Sequence, residues 1–169
     1  MTTLTRVEIR VRDLRSLDWP EVARIYEDGI RTGNATFETG VPAWDDWDAA
    51  HLAEHRFVAE LNGETAGWAA LSPQSSRGCY RGVAENSVYV AAWARGRGVG
   101  RALLDALIES SEEAGIWTLV AGIFPENAAS VRLHLVCGFR LVGVRERLGE
   151  TNGLWRDVLL LERRSEVAG

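Results

Sequence analysis

Three glycines and three arginines interleave over seven residues: Arg95, Gly96, Arg97, Gly98, Val99, Gly100 and Arg101. An apolar, strand-like run ending at Val90 leads into them, and an apolar, helix-patterned run from Ala102 to Ala114 follows. A glycine has no Cβ to hold a ligand off the backbone and tolerates positive φ, so Gly96, Gly98 and Gly100 let consecutive amides face one point. That point lies at a helix N-terminus, where unpaired N–H groups and the helix dipole favour an anion such as a pyrophosphate. The arginines add positive charge to the same turn. The chemistry on offer is the capture of a phosphorylated ligand.

Spacing narrows the ligand. A P-loop needs Gly-Lys followed by Ser or Thr, and all 19 basic residues of this chain are arginine. A dinucleotide fingerprint G-x-G-x-x-G begun at Gly96 needs a glycine where Arg101 stands, and begun at Gly98 needs one where Leu103 stands. What remains is R-x-x-G-x-G, Arg95 to Gly100, between a strand and an amphipathic helix. This pattern resembles the acyl-CoA-binding motif of the GNAT superfamily of N-acyltransferases. The resemblance implies that residues Arg95 to Arg101 cradle the CoA pyrophosphate and that the backbone of Val88, Tyr89 and Val90 hydrogen-bonds the pantetheine arm. A glycine-rich strand-to-helix connection with no ligand is the alternative.

A second segment supports the first. From Asn127 the chain places Ser130 three residues on, then Leu133-His134, then Gly138-Phe139. This resembles the segment that follows the CoA turn in the same superfamily, and two motifs in the right order are more specific than one. Ala35-Thr36-Phe37, Ser72-Pro73, Tyr80-Arg81, Glu85 to Val90 and Leu154 to Val158 are similar to the phosphinothricin and methionine sulfoximine N-acetyltransferase branch. That branch implies acetyl-CoA as the donor, a small amino-acid-like acceptor and a homodimer. The fold implied is α/β (α+β): a mixed, mostly antiparallel central sheet flanked by helices, in one domain over residues 1–169.

Amine acetylation sets further requirements. The acceptor ammonium must lose a proton before it attacks the thioester, and a carboxylate with a raised pKa suits that task. Glu85 stands three residues before Val88 on a strand of small and apolar residues, where a charge is costly unless paired, so it is either the general base or an ion-paired structural carboxylate. The N–H of Tyr89 or Val90 is a candidate donor to the oxyanion. His134 occupies the place where many superfamily members carry a tyrosine beside the leaving sulfur, and either donates a proton there or packs the helix. Asn127 and Ser130, one turn apart, are candidates for the CoA arm, with helix capping the alternative for Asn127. An amino-acid acceptor presents a carboxylate that a guanidinium meets bidentately, which makes Arg77 and Arg81 its candidates, with Tyr80 and Phe37 lining the pocket. Phe37 is equally readable as part of a solvated connection.

These side chains need a scaffold. Alternation over Arg6 to Arg12 predicts a first strand. Asp18 and Glu21, with Pro20 between, predict a helix start whose inner face carries Val22, Ile25, Tyr26, Gly29 and Ile30. A second helix is expected over Trp44 to His55. Arg56 to Leu61 and Glu64 to Ser72 form a hairpin about Asn62-Gly63. After a polar loop, Val83 to Val90 leads to the glycine turn and its helix. Ile116 to Phe124 is a buried strand, Pro125 to Cys137 a last helix with Gly138 as its left-handed cap, and Phe139 to Arg147 and Leu154 to Glu162 are closing strands about a turn from Gly149 to Gly153. Trp155 is expected in the core or at a subunit interface.

Composition excludes other functions. A net charge of −5 argues against a nucleic-acid partner. His51 and His55 lack a third ligand, so no metal is expected and an exposed helix face is the simpler reading. Two cysteines, Cys79 and Cys137, suggest free thiols. With no apolar run long enough for a membrane span and no signal-peptide order at the N-terminus, a cytoplasmic location is expected. Three other acceptors remain open, namely an aminoglycoside, a polyamine or a protein N-terminus. So does a non-catalytic acyl-CoA sensor, which would not need Glu85.

Overall fold

The computed structural model describes residues 8–169, so Arg6 and Val7 of the expected first strand lie outside the described residues. The strands are β1 (Ile9–Asp13), β2 (Arg56–Leu61), β3 (Glu64–Pro73), β4 (Val83–Val90), β5 (Thr118–Ile123), β6 (Arg140–Thr151) and β7 (Leu154–Arg164). They form one sheet in the order β1-β2-β3-β4-β5-β7-β6. Every neighbouring pair is antiparallel except β4 with β5. The helices are α1 (Trp19–Arg31), α2 (Trp44–Ala50), α3 (Val99–Glu113) and α4 (Ala128–Val136). This is the mixed, mostly antiparallel α/β architecture expected.

The central strand β3 is buried on both faces from Ala66 to Leu71, because helices cover each side. α1 buries Val22, Ile25, Tyr26 and Gly29. Gly29 lies so close to the Tyr89 ring that a Cβ there would sit 2.7 Å from Tyr89 Cδ1. Successive strand side chains point to opposite faces. Tyr89 therefore faces α1, and Val90 faces α3, where it and Leu133 of α4 both lie against Gly100. On the α1 side, Trp68 stacks on Tyr89 with ring centroids 4.7 Å apart and meets Tyr26 and Trp47 edge-on.

The one parallel pair matters most for the site. β4 and β5 are in register only at Val83↔Thr118, Ala84↔Leu119 and Glu85↔Val120. Beyond Glu85, β4 continues against β3 as far as Val90, while β5 stays with β7 as far as Ile123. The two strands therefore part, leaving a wedge whose β4 edge has no strand partner on that side. At the open end of β4 stands the glycine turn.

Several expectations are corrected in detail. α2 stops at Ala50 rather than His55, because the buried Arg56 guanidinium gathers the carbonyls of Asp48, His51 and Leu52 together with the Asp48 carboxylate. His51 and His55 are consequently not on one exposed helix face: His51 stacks on Trp47 and His55 bonds Ser110 Oγ at 2.5 Å. No group of three or more metal-ligating side chains occurs among the described residues. Asp18 does not cap α1; it binds Arg12 through both oxygens, at 2.8 and 2.9 Å, and accepts the Arg15 amide. β6 runs on to Thr151, and its turn is Asn152-Gly153, both at positive φ, like Asn62-Gly63 in the first hairpin. Trp155 is 61% exposed, so it is not part of the core.

Candidate active site

The wedge between β4 and β5 opens into a cavity of about 410 Å³. Its walls come from β4, β5, the start of α4, the loop that carries Phe37, and the far strands β6 and β7. Of the residues singled out from sequence, Glu85, Val88, Tyr89, Phe37, Asn127, Ser130 and His134 all line it. A separate open groove along α3, lined by Asp105, Glu109, Glu112 and Glu113, contains none of them.

Glu85 opens to solvent within the cavity, but the surrounding sheet excludes enough water to push its carboxyl above the usual carboxylate range. The charge of Arg145 acts in the other direction and draws it partly back. Burial likewise raises the phenols of Tyr26 and Tyr89. A base that holds its proton more firmly than an ordinary carboxylate suits amine deprotonation.

His134 is 3% exposed and has a partner at each ring nitrogen. Nδ1 lies 2.8 Å from the Ser130 carbonyl, which can only accept, so Nδ1 carries the proton. Nε2 then accepts from Asn86 Nδ2 at 2.8 Å. Burial holds the ring neutral. In that tautomer neither ring nitrogen holds a proton free for a leaving thiolate, and of the two readings open from the sequence, proton donor or packing residue, the placement fits the second. Asn86, itself 7% exposed, is left with its Oδ1 unpartnered beside the unpaired β4 edge.

At the open end of β4, Gly96 and Gly98 adopt φ of +73° and +88°, and Gly98 is the residue that starts α3. A side chain at Gly100 would meet Leu133 Cδ2 at 3.2 Å, so the turn is held close against α4. Arg95 and Arg97 are exposed, and Arg101 leans on Asp105 one turn along the helix. Asn127 caps α4 by accepting the Ser130 amide at 3.3 Å, while still facing the cavity.

The structure does not bring Arg77, Tyr80 and Arg81 to the cavity. The short turn Gly78–Tyr80 holds them near the start of β4, where Arg77 lies over the Tyr80 ring at 5.6 Å and Arg81 over Trp117 at 5.4 Å. Guanidinium and aromatic satisfy one another there. Residues that sequence reasoning missed take their place: Asn86, which sits beside Glu85 in the same motif, and Arg145 and Leu148, which carry no local signal at all.

Burial also sets a pH dependence of stability. His51, His55 and His134 are all held below their ordinary value of 6.5 by desolvation. The unfolded chain therefore takes up protons first, and the stability these residues contribute is complete above 6.5 and is lost progressively as the pH falls from there. Glu85 works in the opposite sense, because its raised pKa favours the fold at low pH. The test is best made in Glu85→Gln, where the midpoint of thermal unfolding is expected to be lower at about pH 5.5 than at about pH 7.5. Equal midpoints would mean that the imidazoles are not kept neutral by the fold.

Comparison with known proteins agrees with this geometry. The acetyltransferase (GNAT) family model matches residues 11–139. The chain is 39% identical over 168 residues to phosphinothricin N-acetyltransferase of Alcaligenes faecalis, covering 95% of this chain and 84% of that one. It is 34% identical over 158 residues to the L-methionine sulfoximine/L-methionine sulfone acetyltransferase of Pseudomonas aeruginosa, covering 90% and 92%. Among solved structures, a phosphinothricin acetyltransferase from Sinorhizobium meliloti in complex with acetyl-CoA superposes with a TM-score of 0.83 at 28% identity, covering 92% of this chain and 88% of that one.

Proposed function

The chain belongs to the acetyltransferase (GNAT) family and is an acetyl-CoA-dependent N-acetyltransferase, and on that premise we propose that its acceptor is a small amino acid or amino-acid analogue of the phosphinothricin or methionine sulfoximine type, acetylated by direct attack with Glu85 as general base. One observation carries this reading. Glu85, with its raised pKa, opens on the same cavity as the unpaired edge of β4.

The residues present fit acetyl-CoA. Gly96 and Gly98 leave the amides at the start of α3 open to a pyrophosphate, with Arg95 and Arg97 exposed beside them. The free edge of β4 from Asn86 to Val90 offers backbone partners to an extended amide-bearing arm, and Asn86 Oδ1 is a buried acceptor without a donor. When bound, acetyl-CoA supplies the acetyl thioester. The chain's own residues do the rest. Glu85 takes one proton from the acceptor ammonium and returns it to solvent, and the amine nitrogen bonds to the acetyl carbon as the carbon–sulfur bond breaks. The acylated nitrogen gives up its second proton to solvent, and the thiolate takes one from solvent. Phe37 and Leu148 give the acceptor an apolar wall.

The cavity argues against a polycationic acceptor, because among the described residues Glu38 and Glu85 are the carboxylates that line it and Arg145 lines it with them. A non-catalytic sensor would leave the position of Glu85 without purpose. The same reading includes a homodimer: Leu141, Val142, Val144, Leu154 and Trp155 are exposed along the β6–β7 hairpin at the sheet edge, a surface suited to a second copy. A cytoplasmic setting is part of the reading as well; among the described residues no helix is long and apolar enough to cross a membrane.

The deciding experiment is thiol release from acetyl-CoA by purified protein across amino acids, phosphinothricin, methionine sulfoximine, aminoglycosides and a mixed peptide set. Turnover confined to amino acids or their analogues is the expected outcome. Turnover of an aminoglycoside or of peptide N-termini in their place would overturn the acceptor class.

A further inference from the structure

We propose that Arg145 binds an anionic group of the acceptor, so that the enzyme selects amines carrying a carboxylate or phosphinate-type oxyanion a short chain away from the nitrogen. The inference rests on the acceptor reading above and names the side chain that enforces it.

The placement of Arg145 depends on an irregularity in β6. Arg145 is in register with Val158, and the next registered pair is Gly149 with Arg156, so Glu146, Arg147 and Leu148 stand opposite Asp157 alone. Arg147 turns through a φ of +46°, and its amide is held by the Asp157 carboxylate at 2.8 Å. In a regular strand, residues three apart point to opposite faces. Here Arg145 and Leu148 both line the cavity, which only the bulge allows. Its far end is pinned: a Cβ on Gly149 would come within 2.8 Å of the Phe37 ring, which in turn packs edge-on against Phe124 at 4.8 Å. The guanidinium is therefore carried into the cavity on a fixed piece of backbone.

Its charge is also uncommitted. Among the described residues Arg145 is the one arginine lining the cavity, and no carboxylate lies within ion-pair distance of it. The neighbouring Arg156 shows the contrast. It bonds the Gly33 carbonyl at 2.7 Å and Asn34 Oδ1 at 2.8 Å, pairs with Glu126 and lies 4.1 Å over the Phe124 ring. Arg156 holds the structure, whereas Arg145 is left free to hold a ligand. Glu85 and Arg145 present opposite charges to one space, and an amino acid is the matching zwitterion, with its ammonium toward Glu85 and its anion toward Arg145. A planar guanidinium meets either a carboxylate or a phosphinate bidentately.

The test is Arg145→Met, which keeps length and apolar bulk, assayed against three acceptors. Phosphinothricin carries both a carboxylate and a phosphinate, methionine sulfone the carboxylate alone, and methionine sulfone amide neither. The loss of a charge-assisted hydrogen bond is expected to lower kcat/KM for phosphinothricin roughly tenfold to hundredfold, mainly through KM, with acetyl-CoA KM preserved. An equal fall for the sulfone but not for its amide assigns the α-carboxylate; a fall for phosphinothricin alone assigns the phosphinate. No fall, or the same fall on all three, overturns the inference. Calorimetric titration of phosphinothricin into the CoA-bound protein gives a second readout that needs no turnover. Weaker binding in the variant sustains the inference even if wild-type protein acetylates none of the three, an outcome that would sink only the acceptor reading. Equal binding overturns it.

Discussion

Glu85→Gln is expected to lower kcat by about 100-fold or more while leaving acetyl-CoA affinity nearly unchanged, the signature of a lost general base. The substitution keeps the shape of the side chain and removes the ability to take a proton. It touches neither the glycine turn nor the unpaired edge of β4, the proposed donor site. The pH profile separates a catalytic from a structural role. In the native protein kcat/KM should rise with pH as Glu85 ionises, with a midpoint above its ordinary 4.5 because burial raises it and Arg145 only partly compensates. That limb should vanish in the variant. If turnover fell less than about tenfold and the limb persisted, the proton would have to leave by another route, directly to solvent or through Glu38.

Trp68→Ala should cost about 3–5 kcal/mol of folding free energy, a large share of what a domain of this size has to lose. Trp68 is 1% exposed and sits where α1, α2 and the sheet meet. Its ring is stacked on Tyr89 with an interplanar angle of 13°, and Tyr26 and Trp47 stand edge-on to it at 5.4 and 5.6 Å. Removing it opens a cavity bounded by large, stiff rings that cannot collapse into the space. Trp68→Phe should cost distinctly less, because it keeps an aromatic face and removes an indole N–H that has no hydrogen-bond partner. Urea denaturation of both variants is the measurement. A Trp68→Ala loss below about 1 kcal/mol would mean that the aromatic layer repacks, contrary to its geometry. Because Tyr89 also walls the cavity, the Ala variant should lose acceptor affinity as well.

The glycine turn and the elements around it were legible because their signals are local. The turn from Gly96 to Gly100 needs only glycines and the helix that follows, and it appears where the spacing put it. Asn62-Gly63 closed its hairpin, Gly138 took its left-handed cap at a φ of +88°, and Glu85 declared itself as a charge in an apolar strand. α2 was misjudged because its end is set by Arg56, a residue of β2 whose guanidinium competes for the last carbonyls. The turn expected from Gly149 to Gly153 shrank to Asn152-Gly153, because the glycine at 149 serves the bulge rather than the hairpin.

The acceptor side divides in the same way. Residues within one strand, turn or helix excluded the phosphate chemistries that need lysine and singled out the glycine turn and Glu85, and the resemblance carried by those motifs implied the fold class and the donor. Only the tertiary structure decided which arginine faces the cavity. Arg77 and Arg81 looked suitable because they precede Glu85 in the chain, yet they are satisfied by Tyr80 and Trp117. Arg145 lies 60 residues beyond Glu85, on a strand that reaches the cavity only because β7 stands between it and β5 and because a bulge reverses its facing. A side chain's direction across a sheet depends on register, and register is a property of paired strands rather than of either sequence alone.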